Sequence, residues 1–181
     1  MKATGIVRRI DDLGRVVIPK EIRRTMRIRE GDPLEIFTNK DGEVIFKKYS
    51  PIGELGNFAS DYAETLSKIS GYGVAISDKD VIIAVSGSPK KELIEFKISG
   101  DIEKIMKERT QYSLQHPEDK KLKITEANDK YCVSVCIPII SEGDCIGSVM
   151  FYGPQEITVM GDVEFKLAQS AAHFLGKQME E

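Results

Sequence analysis

A chain of 181 residues with 41% hydrophobic and 30% charged side chains has the composition of a folded, water-soluble protein, not of a disordered one. Its apolar runs, such as Val81–Val85 and Cys136–Ile140, are far too short to span a bilayer. The formal charge of −3 conceals a split: residues 1–50 hold 12 Lys+Arg against 8 Asp+Glu, net +4, and residues 51–181 hold 14 against 21, net −7. That asymmetry predicts a small basic head whose partner is a polyanion, on a larger acidic body.

The head begins with a strand-like stretch, Thr4–Asp11, in which Ile6 and Ile10 share a side with Arg8. Gly14 marks a turn, and Arg15–Ile18 is a second, β-branched run. Pro19 suits the first position of a helix, where its missing N–H costs nothing. Lys20–Arg27 follows as that helix, with Ile22 and Met26 four apart on one face and Arg23 and Arg24 beside them. Gly31-Asp32-Pro33 ends it. Leu34–Thr38 and Glu43–Tyr49 then form a hairpin across Asn39-Lys40-Asp41-Gly42, where Asp-Gly is a strong turn signal. Fifty residues without a disulfide or metal bury too little surface to be comfortable alone. Interleaving with a second copy would cover both the core and the edges of these short strands.

In the body, Leu55, Phe58, Ala59, Tyr62, Ala63, Leu66 and Ile69 recur at helical spacing, and Gly71 stops the helix. Val74–Ser77 and Val81–Ser86 are two strands. Residues 89–130 are charged and less periodic, with a helix expected at Asp101–Thr110 and a polar loop from Gln115 to about Lys123. Tyr131–Ile140 and Cys145–Tyr152 form an apolar hairpin across Ser141–Asp144. Met160, Val163, Leu167, Ala171, Phe174 and Leu175 mark a last amphipathic helix. The chain therefore reads as α+β, with domains at 1–50 and 51–181. The two long helices either cover the sheet or pair with their counterparts in another subunit, because Leu55, Tyr62 and Ile69 also fit a seven-residue repeat.

Cys132, Cys136 and Cys145 are odd in number and lie in apolar, strand-like runs, which fits a reducing compartment. Cys132 and Cys136 would stand about 13 Å apart in an extended chain, too far to share a zinc ion whose ligands sit within about 2.3 Å. No metal is expected. The opening MKATGIVRRIDD lacks the apolar core of a signal peptide, and a cytoplasmic location is the expectation.

Arg8, Arg9, Arg15, Lys20, Arg23 and Arg24 gather at the head's strand ends, turn and helix. A solvated surface explains such a run blandly. Against that, five of the six are Arg, whose planar fork suits phosphate oxygens and guanine O6 and N7. The helix bearing Arg23 and Arg24 would also turn its first N–H groups toward an anion.

TGIVRRIDDLGRVVIPKEIRRTMRIREGDPLEIF, followed by VIFKKY, resembles the N-terminal DNA-binding domain of AbrB-type transition-state regulators over about residues 3–50. The core G-R-V-V-I-P-x-E-[IL]-R-R runs from Gly14 to Arg24 without a gap. The resemblance implies a swapped-hairpin β-domain in which two chains interleave, binding double-stranded DNA as a homodimer. It implies DNA contacts at Arg8, Arg15, Arg23 and Arg24; Arg9 and Lys20 join them on charge alone. Residues 51–181 resemble a GAF-like antiparallel sheet with flanking helices. The pairing of these two parts resembles a family of sporulation regulators that activate some genes and repress others in the developing forespore, on the nucleoid. The implied assembly is a homotetramer joined through the C-terminal domain, with no membrane partner. No cofactor is implied. The body serves assembly, or sensing of an unidentified small-molecule effector, and it lacks the Asn-Lys-Phe-Asp-Glu motif of cyclic-nucleotide GAF domains. Related heads also serve as antitoxins, a second class for this chain.

Catalysis is not expected. His116 precedes a proline in a polar stretch and His173 lies in the last helix, and no serine sits in a nucleophile elbow. Gly71-Tyr72-Gly73 and Ser86-Gly87-Ser88-Pro89 are turn signals without the Gly-Lys-Ser/Thr ending of a phosphate loop.

Overall fold

The computed structural model describes residues 5–87, 90–127, 130–154 and 159–180, and of Lys90 and Lys91 the backbone alone. Thr4 and Ser88-Pro89, which entered the sequence reading, lie outside the described residues. The chain divides into two compact units, residues 1–49 and 50–181. Both mix helix with antiparallel sheet, so the fold class is α+β.

In the first unit, helix α1 (Lys20–Thr25) precedes the hairpin of strands β1 (Leu34–Thr38) and β2 (Val44–Lys48). The hairpin is in register from Leu34↔Lys48 to Thr38↔Val44. Its turn is organised by Asn39, whose Oδ1 accepts from the N–H groups of Asp41 and Glu43 (3.1 and 2.9 Å). Gly42 supplies the left-handed φ of 78° that the turn requires. Lys48 ties the segment after α1 back to β2: its Nζ donates to the Arg27 carbonyl (3.1 Å) and lies 3.6 Å from Asp32 Oδ2.

Two expectations fail here. Among the described residues from 5 to 19 there is no strand, so the strands expected at Thr4–Asp11 and Arg15–Ile18 are not formed in the single chain. A strand is defined by its ladder, and one copy of this head supplies no third and fourth partner. What survives is the loop between them, with Asp11 N–H donating to the Arg15 carbonyl (3.0 Å) and Gly14 N–H to the Asp11 carbonyl (2.9 Å). The helix is also shorter than expected, ending at Thr25, and Pro19 stands just before it with an extended ψ of 147°. Six residues cannot build a useful macrodipole, so the anion-facing N-terminus expected there has no basis.

In the second unit a short helix that the apolar spacing did not announce, α2 (Pro51–Glu54), comes first, and the helix expected from Leu55 to Ile69 follows as α3 (Gly56–Ser70). Ser50 caps α2: its hydroxyl donates to Asp78 Oδ2 (2.9 Å) and accepts from Gly53 N–H (3.2 Å). Gly71, with φ of 78°, closes α3. There follow β3 (Gly73–Ser77), β4 (Ile82–Ser86), α4 (Lys90–Leu93), α5 (Gly100–Glu108), β5 (Tyr112–Ser113), β6 (Leu122–Lys123), β7 (Tyr131–Ser141), β8 (Asp144–Pro154) and α6 (Asp162–Gln178). The sheet runs β4-β3-β8-β7-β5, with β6 also on β7, and every pairing is antiparallel. Residue alternation sorts β8 onto two faces. Val149 and Phe151 join Ala63, Leu66, Ala168 and Leu175 of α3 and α6 in one core. Met150 and Tyr152 join Leu93, Ile98, Ile102, Met106, Leu122 and Ile124 in the other. Burial on both faces is why β7 and β8 read as nearly unbroken apolar runs. Pro138 lies in β7 beyond its last pairing with β5, Tyr112↔Cys136, where a missing N–H breaks no ladder on that side.

Two glycines mark the closest approaches. A Cβ on Gly147 would overlap the Ser77 carbonyl, and one on Gly176, inside α6, would overlap the Ile140 carbonyl. Ala normally improves a helix over Gly by about 1 kcal/mol; at Gly176 the sign inverts. We expect Gly176→Ala to lose about 1–3 kcal/mol through overpacking. Gly56→Ala, which meets nothing within 4 Å, should be neutral or stabilising; denaturant melts of the two variants make the comparison.

Candidate nucleic-acid interface

The six basic side chains singled out in the sequence are all exposed. Arg8 and Arg9 belong to the extended segment before the loop, Arg15 closes that loop, and Lys20, Arg23 and Arg24 stand on α1. Positions 20, 23 and 24 are neighbours on one helix face, and Ile22 and Met26 occupy the opposite one. The short helix thus turns cations one way and apolar side chains the other. α1 buries none of its residues.

The apolar side of the unit is open. Val7, Ile10, Leu13 and Val17 are 90%, 69%, 74% and 68% exposed, and Ile36 and Val44 of the hairpin 64% and 58%. A groove of about 440 Å³ is lined by Ile6, Val16–Pro19, Ile22 and Met26 together with Val44 and Phe46 of the hairpin, and Arg8 also lines it. Apart from Pro19, no described residue of this unit is buried.

One basic residue is not free to wander. Asp11 Oδ1 accepts from the N–H groups of Leu13 (3.0 Å) and Arg15 (2.8 Å), and its Oδ2 accepts from Arg15 Nε (2.8 Å). Gly14, at φ of 75°, lets the chain turn tightly enough to close this ring. The Arg15 N–H holds the Asp11 carboxyl below its ordinary value, and the Arg15 side chain and Leu13 N–H add to this against a weak opposing desolvation. Sequence reading missed Asp11. Its available signal was an aspartate four residues before an arginine, with a glycine between them.

In the body, the described cysteines and histidines sit in ordinary surroundings. Cys132 and Cys136 are buried and Cys145 half-buried; all three are free thiols. Burial pushes the Cys136 thiol up to about 12 and raises Cys132 and Cys145 as well. His116 is exposed and its N–H donates to Asp119 (3.0 Å); His173 is exposed on α6, its Nδ1 donating to the Gln169 carbonyl (2.8 Å). Among the described residues no group of three or more His, Cys, Asp or Glu is placed to hold a metal, and no helix is long and apolar enough to cross a membrane.

Comparison with known proteins places both units. The family model for the stage V sporulation protein T C-terminal, transcription factor, matches residues 54–180. Stage V sporulation protein T of Bacillus subtilis is 53% identical over 182 aligned residues, covering all of both chains. The chain belongs to the stage V sporulation protein T family. It is thus a DNA-binding transcription regulator of the sporulation class, with an AbrB-like head and a body that has the fold of GAF domains. The family model for antidote-toxin recognition MazE, bacterial antitoxin, matches residues 7–53. The transition state regulatory protein AbrB of Bacillus subtilis is 61% identical over 51 residues, 28% of this chain and 52% of AbrB. Among solved structures, the GAF domain of an Acinetobacter phosphoenolpyruvate-protein phosphotransferase superposes with a TM-score of 0.57. It covers 69% of this chain and 81% of that one at 9% identity, a likeness of fold alone.

The lowered carboxyl gives a direct check on the loop of this family member. Because the folded value lies below the unfolded one, the loop's stabilisation is complete above the ordinary aspartate range. It is lost as pH falls through the lowered folded value. Carbon-detected NMR titration should place the Asp11 midpoint below the usual value of 3.8. Arg15→Ala should move it upward only in part, because the backbone donors remain. A wild-type midpoint at or above the usual value contradicts the hydrogen-bonded ring.

Proposed function

We propose that two copies of the head interleave and present paired clusters of Arg8, Arg9, Arg15, Lys20, Arg23 and Arg24 to duplex DNA. The observation that carries this reading is the two-sided character of residues 5–49. The apolar side chains are left uncovered by their own chain, while the cations all face solvent. A homodimer covers the first and doubles the second. Phosphate contacts supply most of the affinity in this reading, and a few Arg–base contacts with DNA deformability supply the sequence preference. The likeness to AbrB supports the same four arginines, Arg8, Arg15, Arg23 and Arg24, as contacts.

The division is drawn at 1–50 for the DNA-binding domain and 51–181 for the assembly domain. Phe58 and Phe174, 39% and 43% exposed, cluster with Tyr62 between α3 and α6, Phe58 stacked on Tyr62 and Phe174 tilted against both, with ring centroids 5.7–6.1 Å apart. That aromatic face supports a body-to-body contact, which makes the assembly a homotetramer of two head dimers. The sheet face opposite is filled by Leu93, Ile98, Ile102, Met106, Leu122 and Ile124, which favours assembly over sensing of a small-molecule effector. Action in the forespore, both activating and repressing, follows from the family resemblance. The protein is read as a regulator and not as an enzyme.

The antitoxin reading is favoured by the match of residues 7–53 to the MazE model. Antitoxin tails are short and extended, whereas residues 50–181 form a compact unit with two apolar cores. Stoichiometric co-purification of a toxin would turn the reading toward it.

Arg23→Ala and Arg24→Ala should each weaken duplex binding about tenfold at fixed salt, with the far-ultraviolet circular dichroism melt unchanged; full affinity contradicts the assignment. Wild-type log affinity should fall steeply with log salt, and each lost phosphate contact should lower the slope by about one. For assembly, the double variant Phe58→Ala/Phe174→Ala should reduce a tetramer to a dimer in sedimentation velocity at unchanged helix content.

A further inference from the structure

The loop at residues 11–15 does more than turn the chain. Asp11 divides its two oxygens between two tasks. Oδ1 takes the backbone N–H groups of Leu13 and Arg15, and Oδ2 takes Nε of the Arg15 side chain. The guanidinium has five donors in a rigid fork. Asp11 occupies the one at Nε and leaves the four on the terminal nitrogens, the edge that reaches both acceptors of a guanine or two phosphate oxygens. The pair stays open to solvent, with side-chain exposures of 69% for Arg15 and 37% for Asp11. It does not bury the charge it holds.

An exposed ion pair of this kind contributes little to folding. Its consequence lies in orientation. A free arginine side chain loses about 2 kcal/mol of rotamer freedom when fixed on a ligand, and a side chain already fixed at Nε has lost much of it beforehand. Asp11 also carries a negative charge beside the polyanion, which works against sequence-independent attraction. A residue that lowers general affinity while fixing a base-reading fork raises the ratio between the two. We propose that Asp11 is a positioning residue for sequence discrimination: it presents the terminal nitrogens of Arg15 to a base edge at the expense of non-specific binding. This rests on the reading of Arg15 as a DNA contact.

Asp11→Asn separates the two tasks. The Asn Oδ1 still accepts from Leu13 and Arg15 N–H and keeps the loop, while its Nδ2 is a donor and cannot accept from Arg15 Nε. Asp12→Asn makes the same charge change one residue away. Full-length wild-type protein selects a preferred duplex from a random pool, and affinities for that duplex and a scrambled one of equal composition are compared at fixed salt. For Asp11→Asn the specific-to-scrambled ratio should fall about tenfold, with scrambled affinity equal to or above wild type and an unchanged thermal melt. Asp12→Asn should leave the ratio intact. In an Arg15→Ala background, whose own ratio is already reduced, Asp11→Asn should produce no further fall.

An unchanged ratio in Asp11→Asn, with a reduced one in Arg15→Ala, overturns the positioning role and leaves the DNA reading standing. An equal fall with and without Arg15 also overturns it, since Asp11 would then act through the loop. If Arg15→Ala is indistinguishable from wild type, or wild type shows no sequence preference, the inference falls together with the reading beneath it.

Discussion

The structure depends on an imbalance in the first unit: one chain has more apolar side chains than it can cover. Ile6, Val7, Ile10, Val16 and Val17 lie on a segment with no ladder of its own, beside a hairpin whose Ile36, Phe37, Val44 and Ile45 are likewise exposed. Leaving such side chains in water forfeits roughly 1.5–3 kcal/mol each compared with full burial. Few short domains tolerate that deficit, because the stability of a whole domain is about 5–15 kcal/mol. A second copy can supply both the missing apolar surface and the missing strand partners. The proposed function follows from the same arithmetic, since the side of α1 turned away from the groove carries Lys20, Arg23 and Arg24.

The body solves the opposite problem. Its central strands are covered on both faces, and its tight points are backbone contacts at Gly147 and Gly176, not charges. Its thiols are held protonated by burial and its histidines make simple surface contacts. Such a unit is suited to holding its neighbours at a fixed spacing. Coupling two head dimers through the aromatic face of α3 and α6 would multiply modest DNA contacts by effective concentration.

Much of this was legible in the chain, for identifiable reasons. The hairpin at Leu34–Lys48 announced itself through Asp41-Gly42, and that at Tyr131–Pro154 through two apolar runs flanking Ser141–Asp144. Gly71 ended its helix as expected. Less legible were β5 and β6, two residues each, whose pairing with β7 is set by tertiary contact and leaves no period to read. Also hidden was α2, whose four residues are too few to show a helical period of their own. The strands expected at Thr4–Asp11 and Arg15–Ile18 show the limit of single-chain reasoning. Their β-branched residues state a preference that the described residues of one chain leave unsatisfied, and in the proposed dimer a second copy satisfies it. Within the proposed DNA-binding surface, arginines were visible by type, whereas the carboxylate that holds one of them needed the loop geometry.

The central claim is that residues 5–18 of one chain complete the sheet of another. Full-length protein with methyl-labelled Ile and Val, mixed one to one with unlabelled chains and annealed, allows contacts between chains to be told from contacts within one. The account predicts intermolecular nuclear Overhauser effects from Val16, Val17 and Ile18 of one chain to the hairpin of its partner, around Val44 and Phe46. Contacts confined to single chains, in a head that stays folded on dilution to monomer, would contradict it.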